Sequence, residues 1–290
     1  MATRRDGSDY LRSPFHAGRA VLGAIPALLV MKKSPLTFFL LAFAFAIPFW
    51  LTGAVTGLEP LPGLPVAALA AVCPMLAAMI LVYRENKNAG LATLLKRSFD
   101  FKRIKAKIWY VPTLLIMPVV MALSFGVLRL SGTHVPTPQI GVLSALILCA
   151  VFFIGALGEE LGWSGYAIDP MQERWGALQA SIVLGLIWAL YHYIPLAQAH
   201  RSVSWIAWWT LGTVALRLVM VWLYNNTGKS VFAMVLFHMM INVTWQLFPV
   251  NGSYYDPRST GLIAAAVSTI IVVGWESRTL ARYRYAIRRR

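Results

Sequence analysis

From residue 35 onward the chain is a succession of apolar stretches separated by short polar loops. Eight stand out, roughly 35–57, 64–83, 108–130, 139–157, 177–195, 205–224, 230–249 and 260–275. A membrane-spanning helix needs about 20 mostly apolar residues, and each stretch is long enough or nearly so. None shows the strict alternation of a membrane-barrel strand. A spanning backbone must also satisfy its own hydrogen bonds, so helices are the elements predicted. The expected fold class is all-α, a polytopic transmembrane helical bundle of about eight spans over residues 35–275. Pro48, Pro74, Pro112 and Pro118 fall inside the stretches and are expected to kink them. Trp50, Trp109, Trp163, Trp205, Trp208, Trp209 and Trp275 lie near span ends and read as an aromatic belt at the membrane interfaces.

Composition agrees with the pattern. Of 290 residues, 58% are hydrophobic and only 13% charged, against about 25% charged in a soluble domain. A soluble chain could not hide so much apolar surface, and disorder needs the opposite composition. The net charge is +15, from 26 Lys+Arg against 11 Asp+Glu. With a cytoplasmic N-terminus, the opposite side of the membrane holds only Arg129, Arg201 and Arg258, and Arg217 lies inside a span. The other basic residues all fall on the inner side, in the N-terminal segment, the loop 84–107, two short loops and the tail. This is the positive-inside pattern, and an even number of spans places both termini in the cytoplasm. Because the basic residues follow topology, nucleic acid is not an expected partner. The lipid bilayer is, and the expected location is the plasma membrane. The loop 84–107 reads as a solvated linker facing lipid headgroups. Cys73 and Cys149, each inside an apolar run, read as small buried hydrophobes.

Residues 1–34 form a basic segment with an apolar run too short to span, read as poorly ordered or interfacial. Met31-Lys32-Lys33 offers an alternative start. Residues 276–290 read as a basic cytoplasmic tail.

Ionisable groups inside spans cost ~2.5–3.5 kcal/mol or more, so each calls for a reason. The candidates are Glu159, Glu160, His192, Arg217, His238 and Asn242. Glu159 and Glu160 close the fourth stretch and point about 100° apart on a helix. Either one enters a cavity while the other bonds a neighbouring helix, or the span ends at Gly158 and both sit in water. Trp188 and His192 share a helix face, as do His238 and Asn242, each pair being four residues apart. Arg217 reads as structural. A carboxylate, imidazoles and polarising donors from three spans are the parts for activating water. Two His and one Glu are equally a catalytic zinc set. Gly-x-Ser-x-Gly, His-Glu-x-x-His and a Gly-rich phosphate loop are missing.

The ordered strings Glu159-Glu160, Trp188-x-x-x-His192 and His238-x-x-x-Asn242 resemble the CPBP family of intramembrane proteases. That family includes the type II CaaX prenyl endopeptidases and the Abi, bacteriocin-immunity proteins. The resemblance covers roughly 139–249. It implies an intramembrane endopeptidase acting on a membrane-associated peptide or protein, with prenylated CaaX substrates as one class. It also implies roles. Glu159, assisted by His192, activates water; Glu160 supports the site or orients a partner; His238 and Asn242 hold the oxyanion. A competing version places zinc on Glu159, His192 and His238. One position departs from the family pattern: the Arg of Glu-Glu-x-x-x-Arg falls on Ser164. A non-catalytic immunity or scaffold protein of the same fold, and a Glu/His proton-coupled transporter, are the rival readings.

Overall fold

The structure, a computed structural model, describes residues 34–59, 65–250 and 252–284. The chain divides into two units, Met1–Lys32 and Lys33–Arg290. The first unit, the alternative start at Met31 and the last six residues of the tail lie outside the described residues. The second unit is an all-helical, integral multi-pass bundle.

Helix α1 (Pro35–Thr56) starts where the Ser34 side chain accepts from the Thr37 N–H, with Pro35 behind it, and stops at Gly57 in the left-handed region. A 3₁₀ segment (Val66–Val72) leads into α2 (Cys73–Lys96). Then follow α3 (Tyr110–Leu130), α4 (Val142–Gly162), a five-residue π turn (Trp163–Ala167) and α5 (Ile168–Gln198). Helices α6 (Val203–Asn226), α7 (Val231–Leu247) and α8 (Pro257–Gly274) complete the bundle. Among the described residues there is no strand, only an isolated bridge between Trp275 and Tyr283.

Six helical stretches are long and apolar enough to cross a membrane, and one of them runs unbroken in sequence over 57 residues, Val142–Gln198. At 1.5 Å per residue that is about 85 Å, far beyond a bilayer core of about 30 Å. It folds into two limbs at Gly176, whose φ is 77°. The N–H groups of Ala177 and Leu178, freed at the break, donate to the carbonyls of Arg278 and Ser277 at 2.7 and 3.0 Å. Thus the described part of the tail is packed, not free, and Leu280 is fully buried. The break falls where the sequence places the start of the fifth span. With α7, a shorter apolar helix of 17 residues, eight apolar limbs are present, as the hydrophobic pattern predicts.

The breaks inside helices fall at Lys87 and Gly176, not at a proline. Pro48 and Pro118 lie inside helices, but Pro74 sits in the first turn of α2. There a missing N–H costs nothing.

The segments 97–103, 165 and 228–229 meet at one end of the bundle. Arg97 donates to the carbonyls of Gly165 and Lys229 and to Tyr224, and Arg103 to Gly228. In the loop 84–107, residues 84–96 continue α2 and most basic side chains are exposed, while Arg97, Asp100 and Arg103 tie the segment to the bundle. Its Asp100 accepts from the Ser230 hydroxyl (2.7 Å) and the N–H groups of Phe232 (3.1 Å) and Val231 (3.3 Å). These are the orphan donors that open α7. Asp100→Ala is expected to lower stability by about 1–2 kcal/mol, measurable as a lower melting temperature of the detergent-purified chain.

Candidate functional site

The acid pair does not end its helix in water. Helix α4 continues through Glu159 and Glu160 into the π turn, and both carboxylates are buried. The flanking glycines explain how. A Cβ on Gly158 would sit 2.7 Å from the Ala71 carbonyl, and one on Gly162 would sit 2.6 Å from that of Pro74. The two glycines, four apart, let the α4 backbone touch the 66–74 segment, the small-residue packing typical of membrane helices. That approach seals the acids inside the bundle. The π turn then sets Trp163 and Ser164 one turn beyond the acids. The Trp163 indole donates to Glu159 at 3.1 Å, and the Ser164 hydroxyl donates to Glu160. Trp163 is fully buried, so the aromatic-belt reading fails for it.

The two carboxylates have separate surroundings. Glu160 is fully buried and ion-paired. Arg217, from α6, donates to its two oxygens at 3.0 and 3.1 Å, a bidentate pair. His238 Nδ1 lies 3.0 Å from Glu160 Oε1. The guanidinium of Arg217 also lies over the Trp188 ring, 4.1 Å from its centroid. Arg217, read from the sequence as structural, thus supplies the guanidinium that Ser164 lacks. It comes from a different helix, and Ser164 fills the smaller space left over.

Glu159 has one oxygen engaged and one aimed outward. Its Oε2 accepts from the indoles of Trp163 and Trp188, the latter at 2.7 Å. Its Oε1 faces His192 Nε2 at 3.8 Å and His238 Nε2 at 3.9 Å. Both gaps exceed a direct hydrogen bond and suit a bridging atom. The ring tautomers follow from the outer contacts. His192 Nδ1 sits 2.8 Å from the Trp188 carbonyl, which can only accept, so Nδ1 carries the proton. His238 Nδ1 likewise donates to the Glu160 carboxylate. Each imidazole when neutral presents its Nε2 lone pair toward Glu159, and a second proton on the ring turns that Nε2 into a donor.

These groups form the floor of a cavity of about 390 Å³. Asn242 lines it one turn above His238, partly buried, and makes no hydrogen bond to a described residue. Glu159, His192, His238 and Asn242 thus meet in one cavity, with Glu160 behind His238. The cavity extends toward the end of the bundle that is poor in basic residues, past Trp209, Trp245 and Tyr255 to Ala199 and Arg201. On one side it reaches exposed apolar residues of the 66–72 segment and α4, Leu69 and Ile154.

A bound zinc needs at least three protein donors around one point. Among the described residues no three His, Cys, Asp or Glu side chains form a group that could hold a metal ion. Glu159 also has one oxygen committed to two indoles. The residues as arranged do not fit a bound zinc.

With this geometry in hand, residues 141–244 match the family model described as type II CAAX prenyl endopeptidase, Rce1-like. A relative from Methanococcus maripaludis named CAAX prenyl protease 2 is 26% identical over 272 residues, covering 83% of this chain and 94% of the relative. Both likenesses are thus to CAAX prenyl proteases. The matched region holds α4 to α7, and so every group around the acid pair. It begins at Gly141, at the N-terminus of α4, and ends at Thr244, just past Asn242. The family expectation and the convergence of Glu159, His192, His238 and Asn242 therefore fall on the same helices. Two residues of the site carry weak sequence signals. Trp163 is an i+4 neighbour of Glu159, and Arg217 is the one basic residue inside a span.

Proposed function

We propose that the protein is an intramembrane endopeptidase of the type II CAAX prenyl protease kind, hydrolysing a peptide bond of a membrane-associated substrate. The observation that carries this reading is Glu159 Oε1 facing two imidazole Nε2 atoms at 3.8 and 3.9 Å on the floor of a largely apolar cavity. A water between Glu159 and His192 spans that gap. Glu159 takes a proton from this water as the hydroxide oxygen bonds to the scissile carbonyl carbon. The carbonyl oxygen becomes an oxyanion, which Asn242 Nδ2 and protonated His238 Nε2 stabilise by donating to it. The proton held by Glu159 passes to the leaving nitrogen as the C–N bond breaks.

Glu160 and Arg217 are positioning residues in this scheme. They fix the tautomer of His238 and hold Trp188, whose indole orients Glu159.

The test uses the full chain in detergent with a farnesyl-cysteine peptide carrying three apolar residues after the cysteine, and mass spectrometry of the products. Cleavage after the farnesyl-cysteine is expected, and it is expected to persist after exhaustive chelation. Activity lost on chelation and recovered with zinc would replace the metal-free scheme. An intact peptide, with membrane proteomes of wild type and an inactive Glu159 variant also indistinguishable, would remove the protease reading in favour of a non-catalytic membrane protein.

A further inference from the structure

A second groove, apart from the Glu159 cavity, opens where α5 breaks. It has a volume of about 580 Å³, and its walls include Gln172, Glu173, Arg174 and Trp175 of the first α5 limb and Arg278 and Thr279 of the tail. Hydrogen bonds fix the two walls to each other. The Arg278 carbonyl accepts from the Ala177 N–H at 2.7 Å. The Asn225 side chain donates at 2.7 Å both to Gln172 Oε1 and to the Thr279 carbonyl. The donors that line the groove are left without partners. Gln172 Nε2 is buried and makes no hydrogen bond. The Arg174 guanidinium lies 5.4 Å from the Trp175 ring centroid. Among the described residues neither Arg174 nor Arg278 is paired with an acid. Two guanidinium forks and a buried amide donor in one groove suit a phosphate, whose oxygens accept in pairs.

Position and charge say which phosphate. The second limb of α5 starts just past Gly176, and α8 ends at Gly274. The groove therefore lies where two spans leave the hydrocarbon core for the headgroup layer. Trp175, 40% exposed on its rim, is a side chain suited to that layer. Asn225 follows Tyr224, which bonds Arg97, so the groove shares the end of the bundle where the segment 97–103 docks. With Glu173, the lining carries two positive charges and one negative. A net single positive charge matches a phosphodiester, which bears one negative charge, whereas a phosphomonoester bears about −1.5 to −2. We propose that this groove binds the phosphodiester headgroup of an anionic phospholipid. Arg174 and Arg278 hold the phosphate oxygens, and Gln172 Nε2 donates to the same group. Basic pockets between membrane helices are a recurring form of headgroup site. The bound lipid bridges the α5 break to the tail and stabilises the folded chain by mass action.

The test uses the full chain, stripped of lipid in detergent. Dissociation constants and melting temperatures are measured with phosphatidylglycerol, with phosphatidylcholine of the same acyl chains, and with inorganic phosphate. Phosphatidylglycerol is expected to bind wild type about 10- to 100-fold more tightly than phosphatidylcholine and to raise its melting temperature. The double variant Arg174→Gln with Arg278→Gln should lose that preference. Both residues are exposed, and Arg278 holds the tail through its backbone, so the lipid-free variant should melt as wild type does. Gln172→Glu should also weaken phosphatidylglycerol binding. Its carboxylate still accepts from Asn225 but sets a repelling charge where the unpartnered donor was. Lys102→Gln with Lys105→Gln removes as much exposed positive charge from another segment and should leave binding unchanged. Equal affinity for the two lipids would overturn the proposal. So would an equal loss in the Lys102 and Lys105 variant, which would make the attraction a property of the whole basic end. Inorganic phosphate binding as tightly as phosphatidylglycerol, and equally sensitive to Arg174 and Arg278, would assign the groove to a free phosphate and overturn the lipid assignment.

Discussion

Glu159→Gln is expected to lower the cleavage rate about 10²–10⁴-fold, the range over which a positioned general base acts, while leaving the bundle folded. The substitution is nearly isosteric. Its carbonyl oxygen can still accept from the indoles of Trp163 and Trp188, now held at 3.1 and 2.7 Å. Its amide nitrogen then faces the Nε2 atoms of His192 and His238, which are acceptors when neutral. What is lost is the capacity to take a proton from water. The melting temperature in detergent should change little, because the Glu160–Arg217 pair is untouched. A Gln variant that cleaves at near the wild-type rate would remove Glu159 from the proposed role. Loss of both activity and thermal stability would instead mark Glu159 as part of the fold.

Arg217→Met should cost about 3–5 kcal/mol of stability, the usual penalty for leaving one partner of a buried ion pair uncompensated. Arg217 and Glu160 are both fully buried, and the guanidinium makes two hydrogen bonds to the carboxylate and covers Trp188. Removing it strands a carboxylate among apolar helices. The double variant Glu160→Gln with Arg217→Met takes away both charges and should recover most of the loss. His238 keeps an acceptor at its Nδ1 in that variant, so its tautomer is preserved. Thermal unfolding of wild type, the single variant and the double variant in one detergent is the measurement. A single variant as stable as wild type, or a double variant no more stable than the single, would show that the pair does not hold the site together.

The chemistry of the site was legible in the sequence where polar residues interrupt apolar runs. Glu159, His192, His238 and Asn242 stand out because each is costly in a membrane span. The spacing of four between His238 and Asn242 puts both on the cavity wall. The same logic marked Arg217 but gave it no partner, because a helical spacing relates residues of one helix only. Glu160 and Arg217 are 57 residues apart. Trp163 carries a misleading sequence signal for a related reason. A tryptophan near the end of an apolar stretch reads as an interfacial anchor, but the stretch does not end there. The π turn carries the helix on, and the indole turns inward onto Glu159.

The sequence by itself determined the class of the molecule. A run of about 20 apolar residues has one stable form in lipid, and eight such runs make a helical bundle whatever packs against what. The sorting of basic loops to one end is also local, since it follows from span order alone. Only the tertiary structure decided which carboxylate stands free and which is neutralised. The two acids are adjacent and chemically identical, and nothing in their order separates them. Glu160 points toward α6 and α7, where Arg217 and His238, together with Ser164, engage both its oxygens. Glu159 points into the cavity with one oxygen unclaimed by a direct hydrogen bond. That division depends on the approach of α4 to the 66–74 segment and on a guanidinium supplied from another helix. Both are contacts between residues far apart in sequence, and a pattern read along the chain does not contain them.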